Sequence, residues 1–397
     1  MKFSRADESR VAGWWFTVDH LLLTSIVILA GFGVILSLAA SPEVAIKKGL
    51  PTFYFFERHL FFSGLGLLAM TVISFLSPLG IRRLALGIFL AAFAGLVWVA
   101  LAGSEINGAR RWLNLGGYSL QPSEFIKPAF VVLCAWLFAQ ARQRTDMPAF
   151  LIAICVLVLV AGLLIGQPDI GQTLLIVMAW GSLFTLSGQS ILGVCLLAGS
   201  AVLGLGIAYL TLPHVAARFN AFFSPSGSGN SQLDRAMQSF VEGGFFGRGP
   251  GEGTIKSILP DAHTDFIFAV VAEEYGVVAC LVLLALFSFI TLRTLLSAGR
   301  QSDLATRLAI QGLALIFGFQ ALINMGVNVG LLPAKGMTLP FISAGGSSLL
   351  AVCITLGMLL ALTRRRPTDT RHGTLRSERR HDVSSSSLHP TFIGYDQ

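Results

Sequence analysis

The sequence predicts an all-α polytopic membrane protein of about ten transmembrane helices, with a large extracytoplasmic loop between the seventh and the eighth. Three observations predict it. Of 397 residues, 54% are apolar and only 12% charged, and the mean hydropathy is +0.73, far from the mix of a water-soluble domain. Apolar runs of about 20 residues, the length that crosses a bilayer core, recur along the chain. The Lys and Arg residues gather in alternate connections, as a topology signal does.

The runs fall near residues 20–40, 59–79, 84–103, 124–140, 148–166, 170–188, 189–211, 265–292, 308–333 and 340–363. The sixth and seventh are separated only by Ser187-Gly188-Gln189-Ser190, so their division rests on total length. One set of connections carries Lys2, Arg5, Arg10, Arg82, Arg83, Arg142, Arg144, Arg293, Arg300, Arg307 and Arg364 to Arg366. The other carries fewer: Lys47, Lys48, Arg58, Arg110, Arg111 and Lys335. Both termini are therefore expected in the cytoplasm. The expected organisation is a cytoplasmic segment 1–16, a membrane domain 17–366 and a polar, Ser- and Arg-rich tail 367–397 that lacks the apolar content for a core and reads as disordered.

Several function classes drop out. The net charge of +7 comes from basic residues at the ends of apolar runs and in the tail, which argues against nucleic acid. The five cysteines lie inside apolar runs without a CxxC pair, which reads as core filler rather than a disulfide or zinc framework. The polar N-terminus lacks the pattern of a removable signal peptide, so the first run is expected to stay as a span. No GxxxxGK[ST] phosphate loop is present.

The polar, motif-like connections all fall on the extracytoplasmic side: 103–123, Gln167-Pro168-Asp169, 211–264 and Leu332 to Gly336. Chemistry there has no access to cytoplasmic ATP and needs a substrate that arrives activated. A lipid-linked sugar, with pyrophosphate as leaving group, fits that requirement and a cation-lined cleft.

The densest motif runs from Leu259 to Phe268 and ends the large loop. Asp265 is its best general-base candidate, expected at a helix N-terminus whose dipole favours the anion; an N-cap role is equally open. Glu273 and Glu274 follow about 12 Å deeper on the same helix. They point about 100° apart, so one is expected to face the cleft, for pairing or for reaction. Glu124 and Lys127, three apart, either form a salt bridge or orient base and acceptor. Arg110, Arg111 and Trp112 suit a pyrophosphate and a sugar face, or anchor the chain at the interface. Asp169, after Gln167, reads as a cap. Gly243 to Gly249, containing Arg248, reads as a flexible Gly-rich segment. Asn324 and Asn328 read as hydrogen-bonding across the bundle, and His263 as a loop residue without metal-ligand spacing. Arg110, Arg111, Arg218, Arg248 and Lys256 form the pool for a leaving-group clamp.

Five blocks in order, Asn107 to Lys127, Gln167 to Gly171, the Gly-rich segment, Leu259 to Gly276 and Asn324 to Ser348, resemble the signature blocks of the SEDS family. The last block brings Lys335 and Ser343 into the supporting set. Its Leu332-Pro333-Ala334-Lys335-Gly336 stretch is similar to the division branch; the elongation branch usually has Thr where Lys335 stands. It departs from the family at Ala344, where Tyr is common.

The resemblance implies a ten-helix glycosyltransferase that polymerises lipid II, beside a class B penicillin-binding protein and other divisome membrane proteins at the septum. It implies Asp265 as the catalytic acid residue, supported by Glu124, Lys127 and Trp112. The expected reaction has Asp265 deprotonate the C4 hydroxyl of an acceptor lipid II, which attacks the growing strand's muramyl anomeric carbon and expels undecaprenyl pyrophosphate. A divalent cation, magnesium or manganese, could share the pyrophosphate charge, though no cofactor is evident. The competing readings are a lipid II flippase, which would use the intramembrane carboxylates as a path, and a noncatalytic divisome scaffold.

Overall fold

The computed structural model describes residues 9–106, 109–115, 118–144, 146–211, 213, 215–217, 220, 231–333 and 336–365. The tail expected over 367–397, and Lys335 and Arg218 among the candidates, lie outside the described residues. Two compact units are present. In the smaller, α1 (Arg10–Thr17) is capped by Ser9, whose hydroxyl accepts from the Ala12 amide. There the Arg364 guanidinium donates to the Thr17 hydroxyl at 2.9 Å, and the Arg365 amide to the Thr17 carbonyl.

The larger unit, His20–Thr363, is the helical bundle. Its helices are α2 (His20–Ala40), the short α3 (Pro42–Lys47), α4 (Tyr54–Ser74), α5 (Pro78–Ala102), α6 (Pro122–Gln143), α7 (Ala149–Gly166), α8 (Ile170–Leu186), α9 (Ile191–Thr211), α10 (Ser231–Gly243), α11 (Ile255–Ile258), α12 (Ile267–Ala298), α13 (Leu304–Asn328) and α14 (Gly346–Thr363). Among the described residues nine of these are long and apolar enough to cross a membrane, and α8, at 17 residues, is the tenth apolar helix. The expected ten-run pattern therefore holds, including the break between the sixth and seventh runs. There the Arg142 guanidinium donates to the Ser187 carbonyl at 2.7 Å and secures the turn.

The bundle has an inside and a periphery. In α6, α13 and α14, 72%, 78% and 83% of the apolar window is buried. In α5 and α7 only 22% is, and their exposed Leu90, Trp98, Val158 and Leu159 present the surface that lipid requires. Cys155 and Cys195 are exposed on α7 and α9, which corrects the reading of all five cysteines as core filler; Cys134, Cys280 and Cys353 are buried.

Two features go beyond the all-helical expectation. Between α5 and α6 the chain forms a small antiparallel sheet, β1 (Ser104–Ile106), β2 (Ala109–Leu115) and β3 (Tyr118–Leu120), in that order, with Ser104 opposite Trp112 and Leu113 opposite Leu120. The second is a break in α12 at Gly276, whose φ of 79° and ψ of 177° no helix permits. The break frees backbone groups, and the Gly-rich segment after α10 takes them up. The amides of Arg248 and Gly249 donate to the carbonyls of Glu273 and Glu274 at 2.9 and 3.0 Å. The amides of Val277 and Val278 donate to Gly244 and Phe245 at 3.0 and 3.2 Å. So close an approach needs glycine: a Cβ on Gly247 would overlap the Glu274 carbonyl, and one on Gly276 the Phe245 carbonyl. The segment expected to be flexible is therefore a docked splint.

Candidate active site

Asp265 sits at the end of a turn built on Asp261, which adopts a φ of 53°. The Asp261 carbonyl accepts from the amides of Thr264 and Asp265 at 3.0 and 3.1 Å. The Asp265 carbonyl is gripped from α13, by the side-chain amides of Asn324 at 2.9 Å and Asn328 at 3.0 Å. Asn328 turns its oxygen to the Ala269 amide at 3.1 Å, and Asn324 also holds the Met337 carbonyl at 2.6 Å. The buried Ser343 hydroxyl donates to the Thr264 carbonyl and accepts from the Leu339 amide at 2.7 Å. The Ala344 amide donates to the His263 carbonyl. Two asparagines and one serine thus fix the backbone on both sides of the carboxylate.

That carboxylate lines a cavity of about 660 Å³ together with Glu124, Arg111, Trp112, His263, Lys48 and Arg58. Helix α12 begins only at Ile267, with Phe266 as its cap residue, so Asp265 does not cap it. The expectation that the dipole would hold Asp265 as an anion is corrected: burial pushes its pKa up to about 7, Asp261 adds to the rise, Arg111 opposes it and Asp169 adds again. His263 is driven the other way, to about 4, by burial and then Lys48, so its ring is neutral. It packs on Phe55 with centroids 4.8 Å apart.

Arg111 reaches the wall because β2 carries it there. Its Nε donates to the Gln167 carbonyl at 3.1 Å, another guanidinium nitrogen to the Pro168 carbonyl, and a third stands 3.9 Å from Asp169. Asp169 occupies the N-cap position of α8; burial raises its pKa and Arg111 pulls it back. Gln167 is structural, its side chain donating to the Leu96 carbonyl at 2.9 Å.

On the inner helices, Lys127 and Glu124 form a buried ion pair at 2.7 Å. Gln172 of α8 donates to the other Glu124 oxygen at 2.6 Å, and Lys127 donates to Gln320 of α13 at 2.9 Å. Gln320 passes the chain to the Thr338 carbonyl at 3.1 Å, and the Thr338 and Ser348 hydroxyls lie 2.5 Å apart at the cavity wall.

The remaining candidates stand apart from the cavity. Arg110 is exposed and does not line it. Arg248 pairs with Glu242 and bonds Thr254 at 3.1 Å. Glu273 accepts from the amides of Thr254, Ile255 and Lys256 at 2.5, 2.6 and 2.9 Å, and Lys256 pairs with Glu274 at 2.5 Å. Neither glutamate lines the cavity: the amides of residues 254–256 take the Glu273 carboxylate and Lys256 takes that of Glu274. Sequence reasoning missed Lys48 and Arg58, taken only as topology charges, and the two glutamines, which nothing local distinguishes from other helix amides. Among the described residues no group of three or more His, Cys, Asp or Glu gathers as a metal ligand set.

The profile of the cell cycle protein family FTSW_RODA_SPOVE matches residues 19–367. The chain is 44% identical over 366 residues to the probable peptidoglycan glycosyltransferase FtsW of Caulobacter vibrioides, covering 92% of this chain and 94% of that one. It is 36% identical to the protein of the same name from Pseudomonas fluorescens, covering 89% of each. Its fold is similar to a solved peptidoglycan synthase complex described as coordinating polymerization and crosslinking, with a TM-score of 0.73 at 28% identity, covering 88% of this chain and 98% of that one. It is also similar to the rod shape determining protein RodA of Thermus thermophilus, with a TM-score of 0.65 at 27% identity, covering 88% and 97%. The ten apolar helices, the cavity and these matches agree: the chain belongs to the SEDS family of FtsW, RodA and SpoVE.

Proposed function

We propose that this chain is a peptidoglycan glycosyltransferase that polymerises lipid II on the extracytoplasmic face of the membrane, at the division septum, with a class B penicillin-binding protein as partner and both termini in the cytoplasm. The observation that carries the chemistry is the Asp265 carboxylate, its pKa pushed up to about 7 by burial, facing a cavity that also presents Lys48, Arg58 and Arg111 beside Glu124 and Asp261. A base poised near the working pH is the one that both takes a proton and keeps it through the transition state. Asp265 accepts the proton of the acceptor's C4 hydroxyl as that oxygen attacks the anomeric carbon of the growing strand. The α-linked donor inverts to a β-1,4 bond, and undecaprenyl pyrophosphate leaves. Lys48, Arg58 and Arg111 form the leaving-group clamp in place of Arg248 and Lys256, which are committed to the splint. A magnesium or manganese ion, if one took part, would share the pyrophosphate charge with these cations, and among the described residues no cluster of three or more His, Cys, Asp or Glu is there to hold it.

The test is glycan formation from lipid II by the chain purified with its class B transpeptidase, the latter blocked by a β-lactam. Wild type is expected to make polymer, and Asp265→Ala, folded and still bound to its partner, at least about 10³-fold less. Equal polymer from both would remove Asp265 from the mechanism. No polymer from either, with lipid II still crossing vesicle membranes, would put a transporter in its place.

A further inference from the structure

We propose that Gln172 is a positioning residue for this reaction, acting through Glu124. The inference rests on the polymerase reading. Gln172 is 2% exposed and donates from Nε2 to Glu124 Oε1 at 2.6 Å. Lys127 takes Glu124 Oε2 at 2.7 Å and is itself held by Gln320 at 2.9 Å. Glu124 is therefore tied by one donor per oxygen, from α8 on one side and from its own helix on the other, with α13 bracing the lysine. Each oxygen keeps a lone pair, and the residue lines the cavity that holds Asp265.

The residue type fits that task. Left with Lys127 alone, the Glu124 carboxylate would be free to turn about its terminal torsion and take the ammonium with both oxygens. A single neutral donor on the far oxygen prevents this and fixes the carboxylate plane. An anion at 172 would repel Glu124, and a cation would compete with Lys127 for it. A purely structural account does worse: the Gln172 amide oxygen is buried without a hydrogen-bond partner, a cost that packing would avoid with an apolar side chain. The charged groups facing this cluster are Lys127 on α6, Asp169 at the start of α8 and Arg111 on β2; α13 and α14 face it with the neutral Gln320 and Thr355. Helix α7 carries no charged residue.

Two variants of the complex with the transpeptidase test this, with polymerisation rates measured from pH 6 to 8.5. Gln172→Met keeps the length and removes the donor; it is expected to fold, bind the partner and lose about tenfold or more in kcat with KM for lipid II little changed. Gln172→Glu keeps the shape, but can bond Glu124 only while the two carboxyls share a proton, so its rate relative to wild type is expected to fall as pH rises. Wild-type kcat in Gln172→Met, or a Gln172→Glu to wild-type ratio that stays flat with pH, would overturn the proposal while the polymerase reading stands. A wild-type complex that makes no glycan would overturn both.

Discussion

Two acidic clusters lie within ten residues of each other around the start of α12, built from the same materials: carboxylates, basic side chains and glycines. Around Glu273 every acceptor is matched to a backbone amide, and Lys256 faces Glu274. Around Asp265 the backbone is tied down while the side chain is left facing a cavity of about 660 Å³. The first arrangement is a strut and the second a site. The difference teaches that buried charge alone does not mark function. What marks it is a rigidly held charge that faces a cavity large enough to admit a substrate.

The comparison predicts opposite behaviour on substitution, and the largest effect belongs to the strut. Gly276→Ala places a Cβ against the Phe245 carbonyl at a φ that disfavours it, and should cost several kcal/mol, of order 3 or more. The expected result is loss of folded protein by size-exclusion profile in detergent; a wild-type profile would mean the splint is not needed. Glu273→Gln comes next. It keeps the shape and weakens three charge-assisted bonds, for a loss of about 1–3 kcal/mol in thermal stability. Polymerisation by the protein that remains folded should be near normal, whereas lost activity at full stability would move Glu273 into the chemistry.

The effect at the site runs the other way. Asp265 has a folded pKa of about 7, above the ordinary carboxylate value of about 4, so the stability its protonated form provides is present at acid pH and lost as pH rises through 7. Asp265→Asn should therefore be more stable than wild type at pH 8, by up to about 4 kcal/mol for a shift of about three units, and the gap should close below pH 4. A variant that melts lower than wild type at pH 8 would mean that the ionised carboxylate stabilises the fold rather than being strained by it.

The spans were legible in the sequence because hydropathy is local: a run such as 148–166 needs no partner to declare itself a bilayer helix. Asp265 was legible as a carboxylate at a loop-to-helix border. What failed was everything that depends on distant contacts. The depth argument put one of Glu273 and Glu274 in the cleft, but the distant segment 254–256 takes both: its amides bind Glu273 and Lys256 pairs with Glu274. The sheet that delivers Arg111 has strands as short as three residues, too few to show a period. Lys48 and Arg58 join the wall across more than two hundred residues of sequence from Asp265, a proximity no local pattern encodes.

The central claim is that Asp265 accepts the proton of the attacking hydroxyl from a pKa raised by burial. The measurement that tests it most directly is kcat/KM for lipid II polymerisation by the transpeptidase-bound complex across pH 5.5 to 8.5. The account predicts an acid limb with its midpoint at about 7, the rate falling about tenfold per pH unit below it as the carboxyl takes up its proton. A rate that stays level down to pH 5.5 would contradict it, because the group carrying the reaction would then be ionised throughout, as an ordinary exposed carboxylate is.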